Sequence, residues 1–168
     1  MKKSILRYGL YSFLTALILF LSALVFGKGL SFETQTVLGY VSIVASLTFV
    51  FFGIKHFRDK ENNGVISFGK ALGAGMLITL FAALGFAIID YVYTAYINPD
   101  FIGEFTANSI ANLEKTLSGE ELIKAKEDLN NQMKSMGSSS ALALFMFAIV
   151  TVIGFIISLL SSLFLQRK

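Results

Sequence analysis

The chain has no cysteine, one histidine and one proline, and only 15% of its 168 residues are charged. Without cysteine there is no disulfide framework, no thiolate metal site and no thiol nucleophile. The single histidine, His56, excludes a histidine-rich metal centre, and Asp59 and Glu61 beside it make a poor one by themselves. No phosphate-cradling glycine loop, zinc pattern or combination of serine, histidine and acid is legible, so the expectation is a non-enzymatic protein without a cofactor. The scarce charges gather between long apolar runs and are not dispersed along faces, which excludes a soluble amphipathic bundle. With 55% apolar residues and a mean hydropathy of +0.70, the chain reads as an all-α membrane protein, residues 1–168 forming one integral domain. A net charge of +3 does not point to nucleic acid, because the bases flank the apolar runs and no aromatic platform interleaves with them.

Four runs have the length and composition of membrane spans, at about residues 5–26, 36–54, 68–97 and 141–165. The first covers about 33 Å as a helix, against a hydrocarbon core of about 30 Å. A cleaved leader fits it less well, because the apolar core is too long and no pair of small residues follows Val25 and Phe26. The second run is rich in Val, Ile and Phe, yet a lone strand in lipid would leave its backbone groups unpaired, so a helix is expected. Ser31 or Thr34 is placed to cap it. The third run is long enough to tilt or protrude, starts with Gly69, Gly73, Ala74 and Gly75, and ends among Tyr91, Tyr93 and Tyr96 at an interface. The last carries Gly154, Ser158 and Ser162 at a spacing of four, and Gly39, Ser42, Ala45 and Ser46 thin one side of the second. Both patterns suit close helix packing.

Pro99 closes the third run, and residues 100–140 form the one sizeable water-facing insert. Phe105, Ile110, Leu113 and Leu117 share a face of one short helix, and Leu122, Leu129, Met133 and Met136 share a face of a second. Ser118-Gly119-Glu120-Glu121 has capping-box spacing and predicts that the second helix starts near Gly119. The expectation is an extracytoplasmic amphipathic helical hairpin between spans three and four.

Between spans two and three a polar, net-basic loop is expected over residues 53–75, with Lys55, Arg58, Lys60 and Lys70 against Asp59 and Glu61. A tight turn is expected at Asn63-Gly64 and a helix cap at Ser67. With this stretch and both termini on one side, that side holds nine of the fourteen Lys and Arg residues and is net +7, while the other side is net −3. Bases favour the cytoplasm, so both termini are expected inside a bacterial inner (cytoplasmic) membrane. The lipid bilayer is the expected partner, joined by a membrane-protein partner or a second copy of the chain.

Gly53-Ile54-Lys55-His56-Phe57-Arg58-Asp59, then Asn63-Gly64, then Ile66-Ser67-Phe68-Gly69-Lys70-Ala71 resembles the domain of unknown function 4199 family. Tyr96-Ile97-Asn98-Pro99-Asp100-Phe101 is similar to that family's exit from its third span. The resemblance covers nearly the whole chain and implies a four-span membrane protein of Bacteroidetes with a polar insert before its last helix. It implies no activity, substrate or site residues.

Two features remain as candidate sites. Lys55, Arg58 and Lys60 can contact an anionic lipid head group or a partner, or anchor the topology alone. His56 sits beside them, with a side chain that suits the interface. Asp90 is the one acid inside an apolar run. Nineteen residues beyond Ala71 it falls about 28 Å along the helix, which expects an interfacial anchor, hydrated or bonded to a tyrosine hydroxyl. The alternative is a functional intramembrane acid in a small transporter or channel subunit.

Overall fold

Lipid supplies no hydrogen-bond partners, so an apolar run that crosses it must satisfy its own backbone, and here each run does so as a helix. The computed structural model describes residues 1–135 and 137–167. Met136, expected on an apolar face of the insert, and Lys168, counted among the inner bases, lie outside the described residues. The helices are α1 (Lys2–Phe26), α2 (Phe32–His56), α3 (Phe68–Val92), α4 (Phe101–Thr116), α5 (Gly119–Ser135) and α6 (Ser139–Leu165). A π-helical turn, Phe57–Glu61, prolongs α2, and a second, Tyr93–Ile97, prolongs α3. Four of these helices are long and apolar enough to cross a membrane: Lys2–Phe26, Glu33–Glu61, Phe68–Ile97 and Ser139–Leu165.

The spanning helices run up, down, up and down. Ser4 at the start of α1 meets His56 at the end of α2, Tyr93 at the end of α3 meets Leu24 at the end of α1, and Arg167 after α6 pairs with Ile66 before α3. One end of the bundle therefore carries Lys55, Arg58, Lys60 and Lys70, and the other carries α4 and α5. We call them the basic end and the insert end. Helix α3 is central, packed on α1 and α6, while α2 reaches all three.

Packing turns the soluble pattern inside out. Leu10, Leu14 and Ile18 of α1, Val37, Val41 and Val44 of α2, and Leu144, Val152 and Ile156 of α6 are exposed on the outside, as lipid-facing side chains are. Inside, Leu47, Val50, Ile54, Ile78, Phe86 and Val150 are fully buried together with Ser12, Ser46, Thr79 and Ser158. The hydroxyls are satisfied locally: Ser42 donates to the Leu38 carbonyl (2.7 Å), Ser46 to Ser42 (2.8 Å) and Ser162 to Ser158 (2.6 Å). Between helices, Ser12 Oγ donates to the Ser46 carbonyl (2.7 Å), and Thr79 Oγ1 lies 3.3 Å from Ser158 Oγ.

Two expectations change. The polar stretch 53–75 is mostly helical: α2 and its π-turn continue to Glu61, α3 starts at Phe68, and the connection is only residues 62–67. Likewise α2 begins at Phe32, before the expected 36. Hydropathy marks where a helix leaves the lipid, and that is not where its hydrogen bonding stops. The small-residue stripes also divide. A Cβ on Gly154 would sit 2.1 Å from Thr79 Cγ2, and one on Gly75 would sit 2.8 Å from Ser158 Oγ, so these positions hold α3 against α6. Gly39, Gly69 and Gly73 face open space.

Candidate functional site

At the basic end the chain builds a clasp. Asn63 (φ 52°) and Gly64 (φ 80°) take the two positive φ values of a tight turn, closed by Val65 N donating to the Asn62 carbonyl at 3.1 Å. The expected turn is thus in place, whereas Ser67 occupies the N-cap of α3 without a side-chain cap bond. Ser31, in contrast, caps α2 by accepting from Thr34 N at 3.3 Å. Beyond the turn, Ile66 is buried and exchanges two backbone bonds with Arg167, at 2.8 and 2.9 Å, which fastens the chain after α6 to the α2–α3 connection.

This clasp separates the three bases singled out in the sequence. Arg58 turns inward: its Nε donates to Asp59 at 2.6 Å and its Nη1 to the Leu165 carbonyl at 3.3 Å, so it caps the end of α6. Lys55 and Lys60 are exposed. Only these two of the three are presented to an anionic partner.

The fold also joins residues that the sequence keeps apart. Ser4 Oγ is 2.9 Å from His56 Nδ1 and 2.5 Å from Glu61 Oε1, and the Met1 amino nitrogen meets the other Glu61 oxygen. The sequence showed no combination of serine, histidine and acid because 52 and 57 residues separate these partners. Their order is nevertheless wrong for a nucleophile. A catalytic serine hands its proton to an imidazole that the acid orients from its far side, whereas here the acid bonds the serine itself. Ser4 is also buried, and the Tyr8 ring lies 5.3 Å from the imidazole, so the group ties α1 to α2. His56 is part of that tie and does not extend freely into an interface.

At the insert end stands Asp90. Phe86, one turn earlier on α3, packs on Phe20 of α1 with ring centroids 5.0 Å apart, and the Tyr93 hydroxyl reaches the Leu24 carbonyl at 3.5 Å. Asp90 lies between these two levels, beside the last turns of α1 and below its end. It is 6% exposed, and its Oδ2 is buried without a hydrogen-bond partner. Oδ2 is thus not bonded to a tyrosine hydroxyl, one of the two partners expected of it, since the Tyr93 hydroxyl is turned to the Leu24 carbonyl of α1. A count of residues along one helix gave depth from a guessed start, while burial is set by the neighbouring helix.

Beyond Asp90 the buried polar character continues. Thr94 and Asn98 are 4% and 8% exposed, and the Asn98 amide nitrogen donates to Glu104 of α4 at 2.8 Å. The π-helical turn sits within this segment, with Asn98 N donating to the Tyr93 carbonyl at 2.7 Å. Helix α4 follows, its Phe101 ring 5.7 Å from Tyr93. No residue of α4 is buried, and α5 starts at Gly119, as expected, with a φ of +64°. Lys126 of α5 bridges to Glu114 of α4 at 2.6 Å. Leu113 of α4, Leu117 just after it, and Leu122 and Leu129 of α5 are each half-buried. Among the described residues no group of three His, Cys, Asp or Glu side chains is placed to hold a metal.

No match was found among curated proteins or solved structures. The model of a family described as protein of unknown function (DUF4199) matches residues 7–167, nearly the whole chain, so the protein belongs to this family, as the patterns around Lys55 and Asn98 led us to expect.

Proposed function

We propose that this is a non-enzymatic protein of a bacterial inner membrane, with both termini cytoplasmic, whose bundle holds α4 and α5 outside the membrane to contact a membrane-protein partner or a second copy of the chain. The observation that carries this reading is the contrast between its two parts. The bundle is closed: Ile78, Phe86, Leu47 and Val150 fill its centre, and the Gly154–Thr79 and Gly75–Ser158 contacts bring α3 and α6 together. The α4–α5 pair is open, with no buried residue in α4 and Ile123 of α5 67% exposed. The bias of bases toward the end bearing Lys55 and Lys60 supports the orientation. Lys55 and Lys60 add an attraction to anionic lipid of about 1 kcal/mol each.

Burial of Asp90 favours a second reading, a small transporter or channel subunit that uses this acid. A solute would then have to pass the layer of Phe86 and Ile78, both fully buried. In the first reading, replacing residues 101–135 by a flexible Gly/Ser linker leaves a bundle that inserts and unfolds as before but no longer complements a strain lacking the gene. Full complementation by that variant would place the function in the bundle and reject the first reading.

A further inference from the structure

An ionised carboxylate away from water is stabilised by a counter-charge, by donors to its oxygens, or by taking up a proton. At Asp90 the first two are already committed elsewhere. No lysine or arginine pairs with it among the described residues, and Lys28, on the exit from α1, lies over the Tyr93 ring at 5.7 Å. The Thr94 hydroxyl donates to the Asp90 backbone carbonyl at 2.8 Å, the Tyr93 hydroxyl to Leu24, and the Asn98 amide to Glu104. Helix α6 has no charged residue to offer. Of the other charged groups at this end, Glu33 of α2 and Asp100 and Glu104 around α4 have the same sign as an ionised Asp90; the lysines lie on the insert helices, where Lys115, Lys124 and Lys134 are exposed and Lys126 is paired with Glu114, and Tyr91 and Tyr96 are further along the chain on α3 and its π-turn. That leaves the proton.

We infer that Asp90 is a proton-binding site, occupied in the packed bundle and exchanging with water at the insert end along Thr94 and Asn98. These residues follow at intervals of four, each buried and polar, and lead to Glu104, which is exposed. The π-turn lies on this route, and such turns displace carbonyls from the regular ladder. A metal cation fits less well. It requires about six oxygens around one point, whereas the side chains of Asp90, Thr94 and Asn98 are strung along a helix. The inference stands apart from the proposed role of α4 and α5, since it concerns the bundle alone.

The test uses the full chain in lipid vesicles and infrared spectroscopy of its carboxyl groups. Of the eleven acids, Asp90 is the one buried in a span, so at neutral pH the wild type should show a single carboxylic-acid carbonyl band. That band should disappear in Asp90→Asn, move in Asp90→Glu, and shift on transfer to D2O without unfolding. The D2O shift needs only the wild type, so it decides even where a variant does not fold. Because the chain has no cysteine, Thr94→Cys and Asn98→Cys report access directly: both should react with a membrane-impermeant maleimide added at the insert end, and Ala82→Cys should not. Absence of the band in the wild type, or its persistence in Asp90→Asn, would overturn the assignment. Saturable loss of the band when sodium replaces choline would overturn it in favour of a cation. A band that does not shift in D2O, or labelling no faster at 94 and 98 than at 82, would overturn the route.

Discussion

The contact between α3 and α6 makes a quantitative prediction at Gly154. A Cβ there would lie 2.1 Å from Thr79 Cγ2, 2.7 Å from its Oγ1 and 2.9 Å from its Cβ, against the roughly 3.5–4.0 Å at which carbon atoms rest. Thr79 is fully buried and its hydroxyl lies 3.3 Å from Ser158, so it has no free volume to rotate into, and Gly154→Ala must push the helices apart. Overpacking of this kind costs about 1–3 kcal/mol. Gly73→Ala is the control, since nothing lies within 4 Å of a Cβ there. It should be neutral or slightly stabilising, in line with the better helix propensity of alanine.

Thr79→Ala removes the two closest atoms. By itself it loses the Ser158 contact, worth about 0.6 kcal/mol inside a membrane bundle, together with the packing of one methyl. Combined with Gly154→Ala it makes room for the new Cβ, so the double variant should be less destabilised than the sum of the two by about 1 kcal/mol or more. Reversible unfolding in mixed lipid–detergent micelles measures all four proteins. Additivity of Gly154→Ala and Thr79→Ala within about 0.5 kcal/mol, the behaviour of independent sites, would refute the contact.

Three further outcomes test other parts of the structure. Topology reporters fused after Lys60 and at the C-terminus should read cytoplasmic and one near Gly119 external; an external signal at the C-terminus would remove the four-span arrangement. Helices as short as α4 and α5 are marginal alone in water, so their protection in hydrogen exchange depends on the packing of Leu113 and Leu117 near Leu122 and Leu129. Residues 108–117 and 122–133 should exchange more slowly than an open chain, and uniformly fast exchange would refute that pairing. At the clasp, Arg58→Ala loses the bond to the Leu165 carbonyl and should destabilise the protein by about 1 kcal/mol, with faster exchange at Ile66 and Arg167; unchanged exchange there would show that the backbone pair holds without it.

What the sequence revealed, and what it concealed, follows from which physical variables are one-dimensional. The four spans were legible because lipid leaves an apolar backbone no alternative to the helix, even in the β-branched run of α2. The turn at Asn63-Gly64 was legible because its two positive φ values depend on local residue type. Residues 53–61 were misjudged because polarity reports the solvent around a helix and not its hydrogen bonds. Spacing by four found Gly154 and Ser158, but it could not tell that Gly69 and Gly73 face outward, since rotation about the helix axis is decided by the neighbours. The meeting of Ser4, His56 and Glu61 left no local signal at all.

Asp90 shows why its surroundings tolerate every other buried polar group more easily. Ser42, Ser46, Thr94 and Ser162 each donate to the carbonyl four residues back, so a serine or threonine carries its own solution wherever the helix places it. A carboxylate only accepts, and the carbonyls of its own helix only accept as well. The helix that satisfies a hydroxyl thus offers an ionised Asp90 nothing, and the donors beside it, on Tyr93, Thr94 and Asn98, bond elsewhere. A proton changes the residue from acceptor to donor and makes it equivalent to the hydroxyls around it. On the inference that Asp90 holds a proton, the residue carries a donor and no charge, and the buried Oδ2 no longer calls for a counter-charge from the helices around it.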